Sequence, residues 1–234
     1  MSVTQNLLNF KSKLPQTVTL VAVSKTHSAE KILEAYKAGQ RIFGENKVQE
    51  LVSKQEQLPK DIEWHLIGHL QTNKVKFIAP FVSLIHSVDS LKLLQEINKQ
   101  AVKNNRTINC LLQIYIASEE TKFGLSFEEA TALLNSEEFK KLQNIKITGL
   151  MGMASNTENS EQVKKEFREL KNFFNSINKS HTIISSRQIV GTTFATINEQ
   201  TNNDKRLTDN CQLTTLSMGM SSDYETAIAE GSTM

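Results

Sequence analysis

Lys25, which closes the apolar run TLVAVSK, is the residue of this sequence best placed for covalent chemistry. A lysine amine attacks a carbonyl only when deprotonated. Burial at the end of an apolar strand would lower its pKa and let it form a Schiff base with an aldehyde. Taken by itself, Lys25 reads more simply as a solvated loop lysine. Asn46 lies close by in Gly44-Glu45-Asn46. Its amide could orient a ligand ring or hydroxyl, and it equally suits a turn. Gly39 and Gly44 have Walker spacing, but Glu45 and Asn46 stand where Lys and Ser/Thr are needed, which excludes that loop. His65 and His69 are four apart in WHLIGHLQTNK. On a strand they would lie ~13 Å apart, too far to share a metal. One imidazole could stack on a flat cofactor or simply pack in the core.

Ser87 and Met151 sit at the ends of two further apolar runs, FVSLIH and IKITGLM. Ser217-Met218-Gly219-Met220-Ser221 leads from QLTTL toward a helical pattern. Free backbone N–H groups there, with the helix dipole, would suit a phosphate, or would serve an ordinary N-cap. The nucleophile elbow G-x-S-x-G is absent.

These residues need elements to hold them. Seven short apolar runs, 17–24, 41–43, 63–67, 81–86, 108–116, 145–151 and 212–218, alternate for the most part with helical patterns. A helix is expected over 28–38, opened by Ser28 and stopped by Gly39 at C′. Another spans 90–104, with Leu91, Leu94, Ile97 and Ala101 on one face. Ser126 and Glu129 form a capping box, as do Ser222 and Glu225. From 159 onward Val163, Phe167, Leu170, Phe174 and Ile177 recur at steps of four and three. Such alternation predicts a parallel sheet covered by helices. A doubly wound sheet and a (β/α) barrel both satisfy it. The absence of G-x-G-x-x-G favours the barrel, whose strand ends carry the site.

Residues 175–215 break the pattern. This stretch is polar and rich in Asn and Thr, with one strand-like segment, TIISSRQIV, and no helical period. It reads as an insertion, poorly ordered or running over the surface.

Composition narrows the function. The chain has 234 residues, which suit one domain over 1–234. Its 27 basic and 25 acidic residues leave a net charge of +2, which argues against a nucleic-acid partner held by charge. No run approaches the ~18 apolar residues of a membrane span, and the N-terminus lacks a secretory apolar core. Cys110 and Cys211 read as reduced thiols, so a cytoplasmic location is expected.

Several blocks together closely resemble the pyridoxal phosphate homeostasis proteins of the YggS/PROSC type. They are LVAVSKTHSAEKILEAYKAGQRIFGENKVQE, WHLIGHLQTNKVK, IHSVDS, KFGL, ITGLMGMAS and LSMGMSSDYETAIAEGSTM, in family order from about Val18 to Met234 and omitting 175–215. The resemblance implies a TIM-type (β/α) barrel like the N-terminal domain of alanine racemase. It implies that Lys25 holds pyridoxal 5′-phosphate (PLP) as a Schiff base. Asn46, His65, Ser87 and Met151 match pocket positions, and Ser217, Met218, Gly219 and Ser221 match one wall of the phosphate site. The implied role is a monomeric carrier that delivers PLP to apo-enzymes rather than an enzyme. A racemase-like enzyme is the competing reading, although such enzymes use a second β-rich domain and a partner tyrosine. A truncated copy with impaired binding is the other. Family members continue past GSTM into an eighth strand, which brings an arginine to the pyridine nitrogen and further phosphate contacts. Its absence predicts two unpaired sheet edges and weaker PLP binding, unless TIISSRQIV patches the gap.

Overall fold

The computed structural model describes residues 2–119, 123–190 and 213–234, with 180–190 as backbone. Each apolar run overlaps one strand: β1 Ala22–Val23, β2 Ile42–Glu45, β3 Glu63–Leu66, β4 Leu84–Val88, β5 Ile108–Ile114, β6 Ile145–Gly152 and β7 Thr215–Ser217. All pairings are parallel, and the strands neighbour one another in chain order. This sheet curls into an open (β/α) barrel. The helices are α1 Val3–Lys11, α2 Ala29–Lys37, α3 Val48–Gln57, α4 Val75–Ile78, α5 Leu91–Lys103, α6 Phe127–Asn135, α7 Glu137–Lys140, α8 Ser160–Val190 and α9 Tyr224–Ala229.

Burial follows from this arrangement. A parallel strand under helices is covered on both faces, and every residue of β4 is buried. Outward-facing Phe43, Trp64 and Ile85 join the main core with Ile32, Leu94 and Phe167. A second, smaller cluster fills the barrel interior. Leu84, Leu111 and Met151 form it, and Met153 and Met234 pack against them. Each such side chain contributes roughly 1.5–3 kcal/mol when fully buried.

The helical signals translate directly in most places. Ser126 and Glu129 make the reciprocal bonds of a capping box. Gly39 takes φ +90°, which only glycine adopts freely, and ends α2. Val163, Phe167, Leu170, Phe174 and Ile177 are all buried along α8.

Three expectations are corrected. TIISSRQIV does not enter the sheet: the backbone of α8 continues helical to Val190. An established helix adds residues at little cost, while strand propensity acts only where a sheet edge is in reach. The structure therefore contains no patch from this segment. Residues 191–212 of the proposed insertion, and Cys211, lie outside the described residues. Next, Ser222 and Glu225 do not form a capping box. The helix starts later, with Asp223 as N-cap, and the Asp223 carboxylate accepts from Met220 N–H. Glu225 instead accepts from the Tyr224 hydroxyl at 3.0 Å.

Finally, the two edges of the sheet are not bare. Thr233 donates its N–H to Leu216 O of β7 at 2.9 Å, and its carbonyl accepts from Thr19 N–H, ahead of β1, also at 2.9 Å. Its hydroxyl oxygen accepts from Leu216 N–H at 2.8 Å. The helix layer closes around the same seam. Phe10 of α1 packs on Tyr224 of α9 with ring centroids 4.8 Å apart, and Arg168 of α8 holds Glu230 in two bonds of 3.0 and 2.8 Å.

Candidate functional site

The sequence-selected residues gather at the C-terminal ends of the strands, but their environments differ. Lys25 follows β1 in a short turn and is exposed. The expectation of a buried lysine is corrected here. β1 is only two residues long and Val23 is itself 46% exposed, so the side chains at the tip of the turn reach water. Among the described residues, nothing accepts a hydrogen bond from the Lys25 amine or pairs with it. No carboxylate among the described residues ties this side chain down, so it can swing toward a ligand at the mouth.

His65 lies on β3 beside His86 of β4, both buried at 3% exposure. Their ring nitrogens, His65 Nδ1 and His86 Nε2, are 3.0 Å apart, and His86 Nδ1 is 3.2 Å from Ser217 Oγ. Burial pushes the His65 pKa down to about 4. Burial, helped by His65, takes His86 well below the usual value. Both imidazoles are therefore neutral near pH 7. A neutral His86 carries one N–H, so it donates at one end of the chain and accepts at the other. The Ser217 hydroxyl can take either role. His65, a candidate for stacking on a flat cofactor, is thus bonded edge-on to His86. His69 does not join it; it stands by Asp89 at 3.4 Å and stacks on Phe123.

Ser87 is buried and donates to the Gly68 carbonyl at 2.6 Å, which ties β4 to the turn after β3. Asn46 meets the same turn from the other side. A Cβ on Gly68 would lie 2.4 Å from the Asn46 carbonyl oxygen, so only glycine fits. The half-buried Asn46 amide has no partner among the described residues. Met151 and Ser217 are register partners on β6 and β7, and Met151 belongs to the interior cluster. Met218 is buried, and Gly219 turns the chain at φ +95°. Among the described residues nothing accepts from the N–H groups of Gly219 and Ser221. The arrangement thus offers one unpaired amine, one unpaired amide and a turn with open N–H groups, around a neutral histidine pair.

Sequence reasoning missed His86 and the group Glu45, Glu50 and Lys54. His86 had a signal, since alternation on β4 puts it on the same face as Leu84. Glu45 served only to exclude a Walker loop, and nothing in the sequence marked Glu50 or Lys54. A cleft lined by Lys11, Gln40, Arg41 and Glu63 opens at the opposite, N-terminal ends of the strands and carries none of the candidate residues.

Residues 2–204 match the family model for the alanine racemase N-terminal domain. A pyridoxal phosphate homeostasis protein of Aquifex aeolicus is 38% identical over 216 residues, spanning 92% of this chain and 82% of that protein. PipY of Synechococcus elongatus PCC7942, solved with PLP bound, superimposes with a TM-score of 0.77 at 33% identity, over 99% of this chain and 95% of that one. Its structure without PLP gives 0.79. Alanine racemase of Clostridium difficile 630 shares the fold alone, with a TM-score of 0.64 at 14% identity over 95% of this chain and 51% of that one.

Proposed function

Because this chain belongs to the alanine racemase N-terminal-domain family, and within it to the pyridoxal phosphate homeostasis proteins, we propose that it binds PLP on Lys25 and acts as a PLP carrier. One observation carries the reading: the Lys25 amine stands unpaired at the C-terminal mouth of the barrel. The aldehyde of PLP condenses with an amine, losing one water with no change of oxidation state. Lys25 supplies that amine after shedding a proton to solvent. The other residues fit the rest of the group. The unpaired Asn46 amide is available to the ring, and the open N–H groups of Gly219 and Ser221 to phosphate oxygens, with Ser217, Met218 and Met151 beside them. His65 would fix the floor through His86, and Ser87 the adjoining turn.

The pyridoxal phosphate homeostasis proteins of Aquifex aeolicus and Haemophilus influenzae, 38% and 34% identical to this chain, support delivery to apo-enzymes rather than turnover. We place this role in the cytoplasm and assign it to a monomer. None of the helices among the described residues is long and apolar enough to cross a membrane.

The test is chemical trapping. Protein incubated with PLP and reduced with borohydride should carry a phosphopyridoxyl group on Lys25, and Lys25→Ala should lose it. Adducts scattered over surface lysines would overturn the reading. Rapid α-deuterium exchange in L-alanine that depends on Lys25 would replace the carrier with an enzyme.

A further inference from the structure

A group of charged side chains grips the chain on both sides of Lys25. Glu45, at the end of β2, has no solvent exposure. Its Oε1 accepts from Ser24 Oγ at 2.6 Å and from Lys54 Nζ at 2.7 Å. Lys54, in the second half of α3, also donates to the Ser24 carbonyl at 2.9 Å and to Glu50 Oε2 at 3.3 Å. That same Glu50 oxygen accepts from Thr26 N–H at 3.1 Å. Ser24 and Thr26 are the two neighbours of Lys25 in the chain.

Thr26 supplies a second, independent observation. Its φ is +65°, in the left-handed region. A β-branched residue there is strained and stays only where its surroundings hold it. Glu50 is what holds it: the bond from Thr26 N–H is the leading cause of the lowered Glu50 pKa. The group is also an expensive way to build a loop. Glu45 Oε2 is buried with no hydrogen-bond partner among the described residues. A half-satisfied buried ion pair stabilises a fold less than apolar side chains of equal volume would. Its geometric effect is clear nonetheless, since it fixes the carbonyl before Lys25 and the amide after it.

We propose that Glu45, Lys54 and Glu50 are positioning residues for Lys25, clamping the strained turn at Thr26 so that the amine is presented toward the PLP site. The proposal rests on Lys25 being the PLP lysine. It differs from that reading in naming what orients the amine.

Three comparisons test it, with the full chain throughout. The readouts are the rate of borohydride-trapped phosphopyridoxylation at Lys25, the PLP dissociation constant, and exchange of the Thr26 amide without PLP. Glu50→Ala should slow Lys25 trapping at least tenfold and speed Thr26 exchange by a similar factor. Glu50→Gln keeps an oxygen acceptor and should stay within about threefold of wild type. Thr26→Gly in the Glu50→Ala background should recover most of the loss, because glycine adopts this φ without a clamp. A merely structural or electrostatic Glu50 would not be rescued that way. The double variant Glu45→Met/Lys54→Met should melt no lower than wild type yet trap PLP at Lys25 tenfold more slowly. Wild-type rates in Glu50→Ala and in the double variant would overturn the clamp and leave the carrier standing. Failure of wild type itself to trap at Lys25 would remove both.

Discussion

Residue scale is where pH enters. His65 has a folded pKa of about 4, against an ordinary value of 6.5 in an unfolded chain, and His86 is displaced in the same direction. Between those values the unfolded chain binds more protons than the folded one, so stability must fall as pH drops below 6.5. The slope is about 1.4 kcal/mol per pH unit for each imidazole, and up to ~2.7 for the pair. Melting temperature followed from pH 7 to pH 4.5 should therefore decline steadily. In His65→Gln/His86→Gln the decline should be shallower, whatever the variant's melting point at pH 7. Equal slopes would mean that the histidines are protonated in the fold. Loss of this pair at low pH also removes the order imposed on Ser217, through the 3.2 Å contact to His86. By type alone Lys25 reads as a loop lysine and the turn at 217–221 equally as an N-cap; the ordered family blocks around them are what single them out. Glu45, Glu50 and Lys54 could not be picked out, since their partners come from different elements and charge alone says nothing of burial.

At the scale of elements, the structure rewards periodicity and ignores propensity. The steps of four and three along α8 place Phe167 and Leu170 at 0% exposure, against the sheet and the loop after β6. The same loop is tied to α8 by Glu166, whose carboxylate accepts from both Ser155 N–H and Ser155 Oγ at 2.7 Å. Phe167→Ala should accordingly cost about 3–5 kcal/mol in urea unfolding, through lost burial and the cavity left behind. A loss under about 1 kcal/mol would mean that α8 does not seal the core. Beyond Ile177 the apolar period fades, and local composition misled: TIISSRQIV is rich in strand formers, yet it extends a helix that already exists. The capping signal at Ser222 failed for a related reason. The Asp223 carboxylate takes the N–H of Met220 behind it and caps no helix N–H, and α9 opens one residue later than the signal implied.

For the whole molecule the question is how seven strands make one mouth that β1 and β7 share. The answer is the seam at Thr233, which no local pattern could reveal because it joins residues from both ends of the chain. Its hydroxyl is the acceptor for Leu216 N–H, on a residue with no exposure. Ser232 strengthens the joint, with its hydroxyl 2.9 Å from Met218 O. Thr233→Val keeps the shape and deletes that acceptor, leaving a buried N–H unpaired at a cost of roughly 1–3 kcal/mol. Thr233→Ser keeps the oxygen and should stay near wild type. If the seam sets the spacing of Lys25 from Ser217, Thr233→Val should do more than destabilise. It should raise the PLP dissociation constant several-fold at temperatures well below unfolding, and expose the Leu216 amide to hydrogen exchange. Unchanged affinity with faster Leu216 exchange would make the seam a matter of stability alone. Parallel changes in both would mean that the mouth is held together from its two edges, with Lys25 on one and Ser217 on the other.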